Sequence, residues 1–518
     1  MSEAVATQED WKPKSSPWLI TAAVMLATFI AALNSSIANV ALKQIAGSFS
    51  ISQDESLWVI TSYLIASSII LPATAWFSSV IGRKKFFLSC IVLFATSSFI
   101  CGTAPTIEIL LIGRVLQGLG GGVLFPLSQA ILLESFPREK HGLAMSVFGL
   151  GVVLAPIIGP LLGGWLTSDY SWNWIFFISL PFCIAAFIMI QIYVEDPPYM
   201  RAQGMQKVDF VGFILLIIWL AAFQVMLDNG QKSGWFGSEK ICKLTFVWVS
   251  ALIAFVWWEL KNKTPLVDLR IFKNWNFTIG TILYTVIFVV FYGSMAILPL
   301  FLQSLLGYTS FLSGLAGAPM GVGSLIGILC TAVLAGRMDY RWQAAIGLAL
   351  LCVASFMFSS LNLSISLINV VVPNMLLGFA IAMVITPLTT LIFSNVSNSE
   401  MTNASGLQNL LKNVGSAIGI SLVGVMVSRY SQIYQGYLVD HMHPLNPVFK
   451  DKLAALTAGL AQHMNPVVAA QKANFMMYGN LIKQSTLLAF MQSYKIYAIT
   501  ALVLLPLLAL VKKVSYKK

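Results

Sequence analysis

The sequence predicts an all-α membrane protein that crosses the bilayer many times. Hydrophobic residues make up 58% of its 518 residues and charged residues only 10%, whereas a soluble globular domain carries about 25% charged residues. Apolar runs recur along almost the whole chain, and each approaches the ~20 residues that a helix needs to cross a hydrocarbon core of ~30 Å. A water-soluble protein of any fold is therefore excluded.

We predict fourteen membrane-spanning helices. They cover, in order, residues 18–40, 57–80, 86–104, 108–132, 142–166, 173–194, 210–228, 243–259, 277–301, 311–335, 343–361, 365–394, 403–428 and 487–511. An even number of spans places both termini on one side of the membrane. Lys and Arg are much more frequent in the loops of that side, as at Arg83–Lys85 and after Leu510, than in the short loops opposite. By the positive-inside rule both termini are cytoplasmic, and the net charge of +11 reflects topology rather than nucleic-acid binding.

A weak internal repeat divides the spans into six, two and six. The basic turn in "AWFSSVIGRKKFF" (75–87) follows the second helix, and a similar turn in "AVLAGRMDYRW" (332–342) follows the tenth. The predicted parts are a cytoplasmic tail (1–17), an N-terminal bundle (18–194), two linker helices (195–274), a C-terminal bundle (275–511) and a second tail (512–518). Repeated halves are typical of transporters, with the substrate site between them at the midplane.

ATP hydrolysis through a P-loop is excluded, because the sequence contains no GxxxxGK[ST] motif. We expect a transporter without a cofactor rather than an enzyme, and uphill transport has to draw on an ion gradient. The four histidines lie in loops, and even the His441–His443 pair is read as solvated, so no metal site is predicted.

The longest connection, 430–486, lies on the outer face before the last span. Within it "FKDKLAALTAGLAQHM" places Leu453, Leu456, Leu460 and His463 near one helical face. Two interpretations are open: a short helix that lies on the membrane or the mouth of the transporter, or a docking surface for a partner.

Arg114 lies inside the fourth span, in "LLIGRVLQGLGGG". An Arg at the centre of a membrane helix costs at least ~2.5–3.5 kcal/mol on insertion scales, so it is a functional candidate. The alternative is a structural arginine that binds helix-end carbonyls. Lys412, in "NLLKNVGSAIG", is the other basic residue within a span, and we expect it to extend towards the membrane surface.

The fifth span contains the small-residue motif "GLGVVLAPIIGPLLGGWL" (149–166). Small residues recur every fourth position and allow close helix approach, and the prolines remove backbone donors. We predict a pliable hinge that faces the other half. Its residues are Ala155, Pro156, Gly159, Pro160, Gly163 and Gly164.

Six motifs, in order, resemble the fourteen-helix drug:proton antiporters of the major facilitator superfamily, especially the EmrB type. They are "SIANVAL", "SLWVITSYLIA", "GRVLQGLGGG", "APIIGPLLGGWL", "SWNWIFFISLP" and "PLVDLRIF". The resemblance covers residues 18–511. It implies a multi-pass protein of the bacterial inner membrane that exports drugs by alternating access against protons and confers antibiotic resistance. A periplasmic adaptor and an outer-membrane channel are the partners that it implies.

The resemblance also assigns roles to residues. Arg114 matches the family's proton-coupling Arg, and Ala155–Gly164 matches its antiporter motif, with Ala155 where a Gly is often found. In the turn after the second helix Gly82, Arg83 and Lys84 match, but Ser79 replaces the family's Asp.

Asn34 occupies the position of the family's titratable Asp in the first span. Asn is nearly isosteric with a protonated Asp but cannot change its charge. No acid falls in the middle third of any predicted span, which leaves helix-end acids such as Asp228 and Glu134 as further coupling candidates. Two explanations are open: the natural chain couples through another group or not at all, or the residue is a deliberate substitution that holds one protonation-like state.

The substrate cavity is expected to combine aromatic and polar residues near the midplane, because ligand pockets are mostly apolar with a few polar groups. The candidates are Asn34, Trp58, Tyr63, Phe125, Gln129, Tyr292, Gln303 and Asn374. Aromatic residues suit lipophilic cations, so export of varied lipophilic or cationic compounds is the leading function. Export of one endogenous lipid, fatty acid or metabolite, and a non-transporting scaffold or sensor, are the alternatives.

Overall fold

The computed structural model describes residues 13–512 except 52–55, 57, 138–139, 197–208, 232, 263–264, 364, 367, 398–399 and 444. Its helices are α1 (Pro17–Phe49), α2 (Trp58–Ile81), α3 (Arg83–Gly102), α4 (Ile107–Ser135), α5 (His141–Asp169), α6 (Trp174–Phe177 and Ser179–Tyr193), α7 (Phe210–Gly230), α8 (Glu239–Lys261), α9 (Trp275–Ser304), α10 (Ser310–Leu334), α11 (Tyr340–Phe358), α12 (Ile368–Phe393), α13 (Met401–Val439), α14 (Pro447–Ala461) and α15 (Pro466–Leu508).

The prediction of an all-α membrane protein is confirmed. Twelve of the helices in the described part of the chain are long and apolar enough to cross a membrane. A helix also occurs at each of the fourteen predicted positions. The two that are not among the twelve are α5 and α2, and in α2 a shorter apolar segment, Trp58–Leu71, is found. The count of fourteen spans therefore stays a prediction.

The helices pack as two groups that repeat one arrangement. In the first group α1 contacts α4, α5 and α6, and α3 and α4 contact each other. In the second group α9 contacts α12, α13 and α15 in the same way, and α11 and α12 contact each other. The two groups meet where α2 contacts α13 and α5 contacts α10, while α7 and α8 pack mainly on each other. This packing is the one expected for a division into six, two and six helices. The limits of the domains stay a prediction.

Small residues allow the closest helix contacts of the first group. A Cβ added at Gly118 of α4 would lie 2.5 Å from the Tyr63 carbonyl oxygen of α2. A Cβ added at Gly122 would lie 2.6 Å from the Ser67 carbonyl oxygen of the same helix. No side chain larger than hydrogen fits at this distance, so α4 holds its orientation beside α2.

The small-residue face of α5 packs on α1 of its own group, whereas the sequence predicted a hinge facing the other half. Ala155 is fully buried beside Leu33, and a Cβ added at Gly159 would lie 2.8 Å from Ser36 Oγ. Gly149, nearer the start of α5, is a glycine of this motif that faces the other half, where it lies beside α10 and α12. The helix continues through the proline positions; the hinge stays a prediction.

The outer connection is mostly helical. At about 1.5 Å per residue, the 39 residues of α13 and the 43 residues of α15 measure about 60 Å, roughly twice the hydrocarbon core. The predicted short helix is present as α14, and Leu453, Leu456 and Leu460 are half-buried where it packs on α15. We call α14 with the outer parts of α13 and α15 the outer extension. The sequence predicts only the short helix in this connection, because the polar residues around it cannot span lipid; in water such residues form helices readily.

Candidate functional site

A buried arginine joins three helices of the first group. Arg114 of α4 is 0% exposed, and its Nε donates to the Val59 carbonyl of α2 at 2.7 Å. Its Nη1 donates to Asn34 Oδ1 of α1 and to Gln117 Oε1, both at 2.6 Å. The ring of Tyr63 lies against the guanidinium, 4.7 Å from its carbon. The positions of α1 and α2 beside α4 thus depend on this one side chain.

Neutral groups complete the shell around this arginine. Asn34 is 1% exposed, and its Nδ2 donates to Ser179 Oγ of α6 at 3.3 Å. Gln117 Nε2 donates to Ser98 Oγ of α3 at 2.6 Å, and Arg114 Nη2 has no hydrogen-bond partner among the described residues. Among the described residues no carboxylate pairs with Arg114. The guanidinium is therefore balanced by dipoles and aromatic rings.

The network contains no described group that changes charge near neutral pH. A carboxylate in place of Asn34 would pair with Arg114, and protonation would break that pair between α1 and α4. The amide makes the same hydrogen bond but offers no such switch.

Glu134, another coupling candidate, lies elsewhere and pairs with a different arginine. Its carboxylate is 2.5 Å from Arg83, and both side chains are almost fully buried. Along α4 it stands about 30 Å from Arg114, at about 1.5 Å per residue. Removing one partner of a buried pair is strongly destabilising, so this pair fastens the start of α3 to the C-terminal end of α4. The side chain of Asp228 lies outside what the structure describes.

A carboxylate that the sequence did not single out lies near the basic turn. Asp196, just after α6, accepts a hydrogen bond from the Lys84 backbone N–H at 2.8 Å, and Lys84 Nζ donates to the Gln191 carbonyl at 2.6 Å. The motif's own acid is replaced by Ser79, and an acid from a distant segment caps the start of α3 instead.

The two groups of helices are joined by a row of neutral polar side chains on α13. Asn409 Nδ2 donates to Gln129 Oε1 of α4 at 3.1 Å, and Gln129 Nε2 donates to Gln408 Oε1 at 3.4 Å. Ser405 Oγ donates to the Pro126 carbonyl at 3.2 Å. One face of α13 thus meets α4 of the other group through hydrogen bonds between uncharged groups.

Lys412 continues this face into an aromatic environment, contrary to the expectation that it would extend to the membrane surface. It lies about three turns into α13, and its Nζ donates to Asn409 Oδ1 at 2.8 Å. The ammonium stands 4.5 Å from the ring centroid of Phe125 on α4 and 5.9 Å from that of Phe288 on α9. We call the region where α4, α9 and α13 meet around Lys412 the cleft.

Only some of the predicted substrate residues gather at the cleft. Phe125 and Gln129 do so, and Tyr292 lies 6.0 Å from Phe288 between ring centroids. Asn34 and Tyr63 belong to the arginine network. Three others are not brought to the cleft by any described contact: Trp58 and Gln303 are exposed near helix ends, and Asn374 Nδ2 donates to the carbonyls of Ala316 and Gly317, which fixes α12 to α10.

Known proteins resemble the chain over most of its length. The model of the Major Facilitator Superfamily matches residues 24–420. The "Multidrug export protein EmrB" of Haemophilus influenzae is 36% identical over 439 residues, which are 83% of this chain and 84% of that protein. The "Fatty acid resistance protein FarB" of Neisseria gonorrhoeae is 33% identical over 446 residues, 85% of this chain and 86% of that protein. In fold, the proton:xylose symporter XylE covers 96% of both chains with a TM-score of 0.61 at 15% identity.

We predict that Arg114→Ala abolishes transport, because Asn34 and Gln117 lose the charge that orients them. Arg114→Lys should rescue only in part, since an ammonium cannot reproduce the guanidinium's fork of donors. The measurement is substrate efflux from cells, normalised to the amount of folded protein in the membrane. Arg429→Ala, at an exposed arginine of α13, is the matched control and should transport normally. Normal efflux by Arg114→Ala would reduce Arg114 to a structural role.

Proposed function

This chain belongs to the major facilitator superfamily, and we propose that it is a multidrug efflux transporter that moves varied lipophilic compounds out across a bacterial inner membrane. The observation that carries the proposal is the 36% identity to a multidrug export protein over 83% of the chain. The cleft agrees with it, because aromatic rings and a few polar groups accommodate many apolar shapes. An exporter of a single lipid or fatty acid remains the second candidate, favoured by the likeness to FarB.

Alternating access requires that the two groups of helices separate and rejoin. The hydrogen bonds between Asn409, Gln129 and Gln408 link uncharged groups, and each such bond contributes about 0.5–1.5 kcal/mol net. A contact of this strength can open and close around a bound substrate. The arginine network lies within the first group and would move with it as a unit.

The export proposal is tested by downhill efflux, which needs no coupling ion. Cells are preloaded with a panel of lipophilic acids, neutral compounds and cations and transferred to compound-free medium. We expect faster efflux of several chemically different compounds from cells with the parent chain than from cells with Arg114→Ala. Faster efflux of only one compound favours the single-substrate exporter. Unchanged efflux of all of them favours a scaffold or sensor.

Proton coupling at position 34 is proposed to be weak or absent, because an amide cannot bind and release a proton. Asn34→Asp restores a carboxylate beside Arg114. We predict that this variant releases protons when a substrate from the panel binds in weakly buffered detergent, while the parent releases none. Asn465→Asp, which adds a carboxylate at the exposed start of α15, is the control and should behave like the parent. If the parent itself releases protons, the account of Asn34 is wrong, and Asp228 or Glu134 becomes the first candidate for the group that releases them.

We further propose that the outer extension binds a periplasmic adaptor of a tripartite pump. It projects beyond the membrane and exposes apolar side chains that include Leu445, Val467 and Phe475, the last of them 76% exposed. Exposed apolar side chains outside the bilayer are available for contact with a partner protein.

We predict that replacing residues 441–465, which contain α14, with a short Gly/Ser linker leaves membrane insertion and folding intact but abolishes co-purification with the adaptor. Phe475→Glu should weaken co-purification, because a charge replaces an apolar contact. Lys472→Glu changes the charge of a neighbouring exposed residue and serves as the control. If the variant without α14 co-purifies with the adaptor as well as the parent chain does, α14 is only a lid.

A further inference from the structure

Lys412 presents a cation to the cleft, and no counter-ion for it is found in the part of the chain that the structure describes. An ammonium has three donor hydrogens, and the structure records one acceptor for them, the neutral Asn409 Oδ1. Among the described residues no carboxylate lies within ion-pair distance of Lys412. The other neighbours of the ammonium are the faces of Phe125 and Phe288.

The two membrane-embedded cations differ in access. Arg114 is completely buried, and its guanidinium lies between the rings of Tyr63 and Phe176. Lys412 is only half-buried and stands where helices of both groups meet. A ligand that enters between the groups can therefore reach Lys412 but not Arg114.

The charge of Lys412 reverses the substrate preference that the aromatic residues alone indicate. Aromatic faces attract cations, but the faces of Phe125 and Phe288 already contact a resident ammonium. A second cation in the same cleft would be repelled. An anionic group would instead form a hydrogen bond in which both partners are charged, whereas only the donor is charged in the bond to Asn409.

We propose that Lys412 is a specificity-determining residue of the cleft and that it binds the anionic head group of amphipathic substrates, a carboxylate or sulfonate whose apolar tail lies on the aromatic rings. The inference rests on the proposed export function and names its substrate class. The head group takes the place of Asn409 Oδ1 as the partner of Nζ. Neutral lipophilic compounds fit the same rings with less affinity, and cations are disfavoured.

An anionic substrate also supplies a driving force that does not require a titratable residue. One elementary charge that crosses 100 mV gains about 2.3 kcal/mol. A bacterial membrane potential is negative inside, so it drives an anion outwards. The chain can then export anions although Asn34 carries no proton.

The test uses three probes with one tail and different permanent charges: decanesulfonate, decanol and decyltrimethylammonium. Binding to the full-length chain in nanodiscs of uncharged phospholipid is measured for the parent and for Lys412→Met. We expect the parent to bind decanesulfonate most tightly. Lys412→Met should weaken decanesulfonate binding roughly tenfold to a hundredfold, the loss of one hydrogen bond between charged partners, and leave the neutral probe unchanged.

Further variants separate recognition from folding. Lys412→Arg should keep most of the sulfonate affinity, and Lys412→Glu should transfer the preference to decyltrimethylammonium. Lys261→Met removes another lysine that lies over an aromatic ring, 4.7 Å from Trp257 on α8, and should change nothing. Melting of each variant reports whether it is folded.

The inference is overturned if Lys412→Met weakens all three probes equally, or if the parent binds the ammonium probe as tightly as the sulfonate. If Lys412→Met does not fold, the other two variants decide. The inference is then overturned if Lys412→Arg loses most of the sulfonate affinity or if Lys412→Glu does not transfer the preference to decyltrimethylammonium. Failure here is distinct from failure of the export proposal: a chain that exports the lipophilic panel regardless of charge refutes only the role of Lys412.

Discussion

Arg114 carries a full positive charge where the structure leaves it no solvent contact, and three helices take their relative positions from the acceptors that it needs. The Val59 carbonyl, Asn34 Oδ1 and Gln117 Oε1 lie at 2.6 or 2.7 Å from its nitrogens. Such short contacts to one rigid guanidinium allow α1, α2 and α4 little freedom to move apart. The first group of helices therefore moves as one unit, and conformational change is left to the weaker contacts between groups.

Arg114 and Lys412 share one property: in the described structure neither has an acid beside it. Arg is always protonated in proteins, and Asn34 offers Arg114 a dipole but no negative charge. Lys412, open to the cleft, then determines which substrates are favourable there. A transporter with two uncompensated cations is suited to anions, and the membrane potential moves anions in the direction of export.

Hydropathy and the charge of single residues were enough to predict the all-α class, the positions of the long helices and an arginine inside the fourth helix, Arg114; its role in transport stays a prediction. The contact between Arg114 and Asn34 depends on how α1 crosses α4, which the sequence does not specify. Lys412 was misread because its surroundings come from Phe125 and Phe288 on two other helices. The outer parts of α13 and α15 were not predicted, because hydropathy reports lipid exposure and not helix formation. Ala155 and Gly159 indicated close packing correctly, but a small-residue face does not identify its partner helix.

Transport in proteoliposomes tests the central claim, that no titratable group among the described residues compensates Arg114. Vesicles loaded with decanesulfonate, whose charge is independent of pH, are given either a pH gradient at zero potential or a potassium diffusion potential at equal pH. The account predicts that the parent responds to the potential alone and that Asn34→Asp also responds to the pH gradient. A parent chain whose sulfonate efflux is accelerated by the pH gradient as much as that of Asn34→Asp would contradict it.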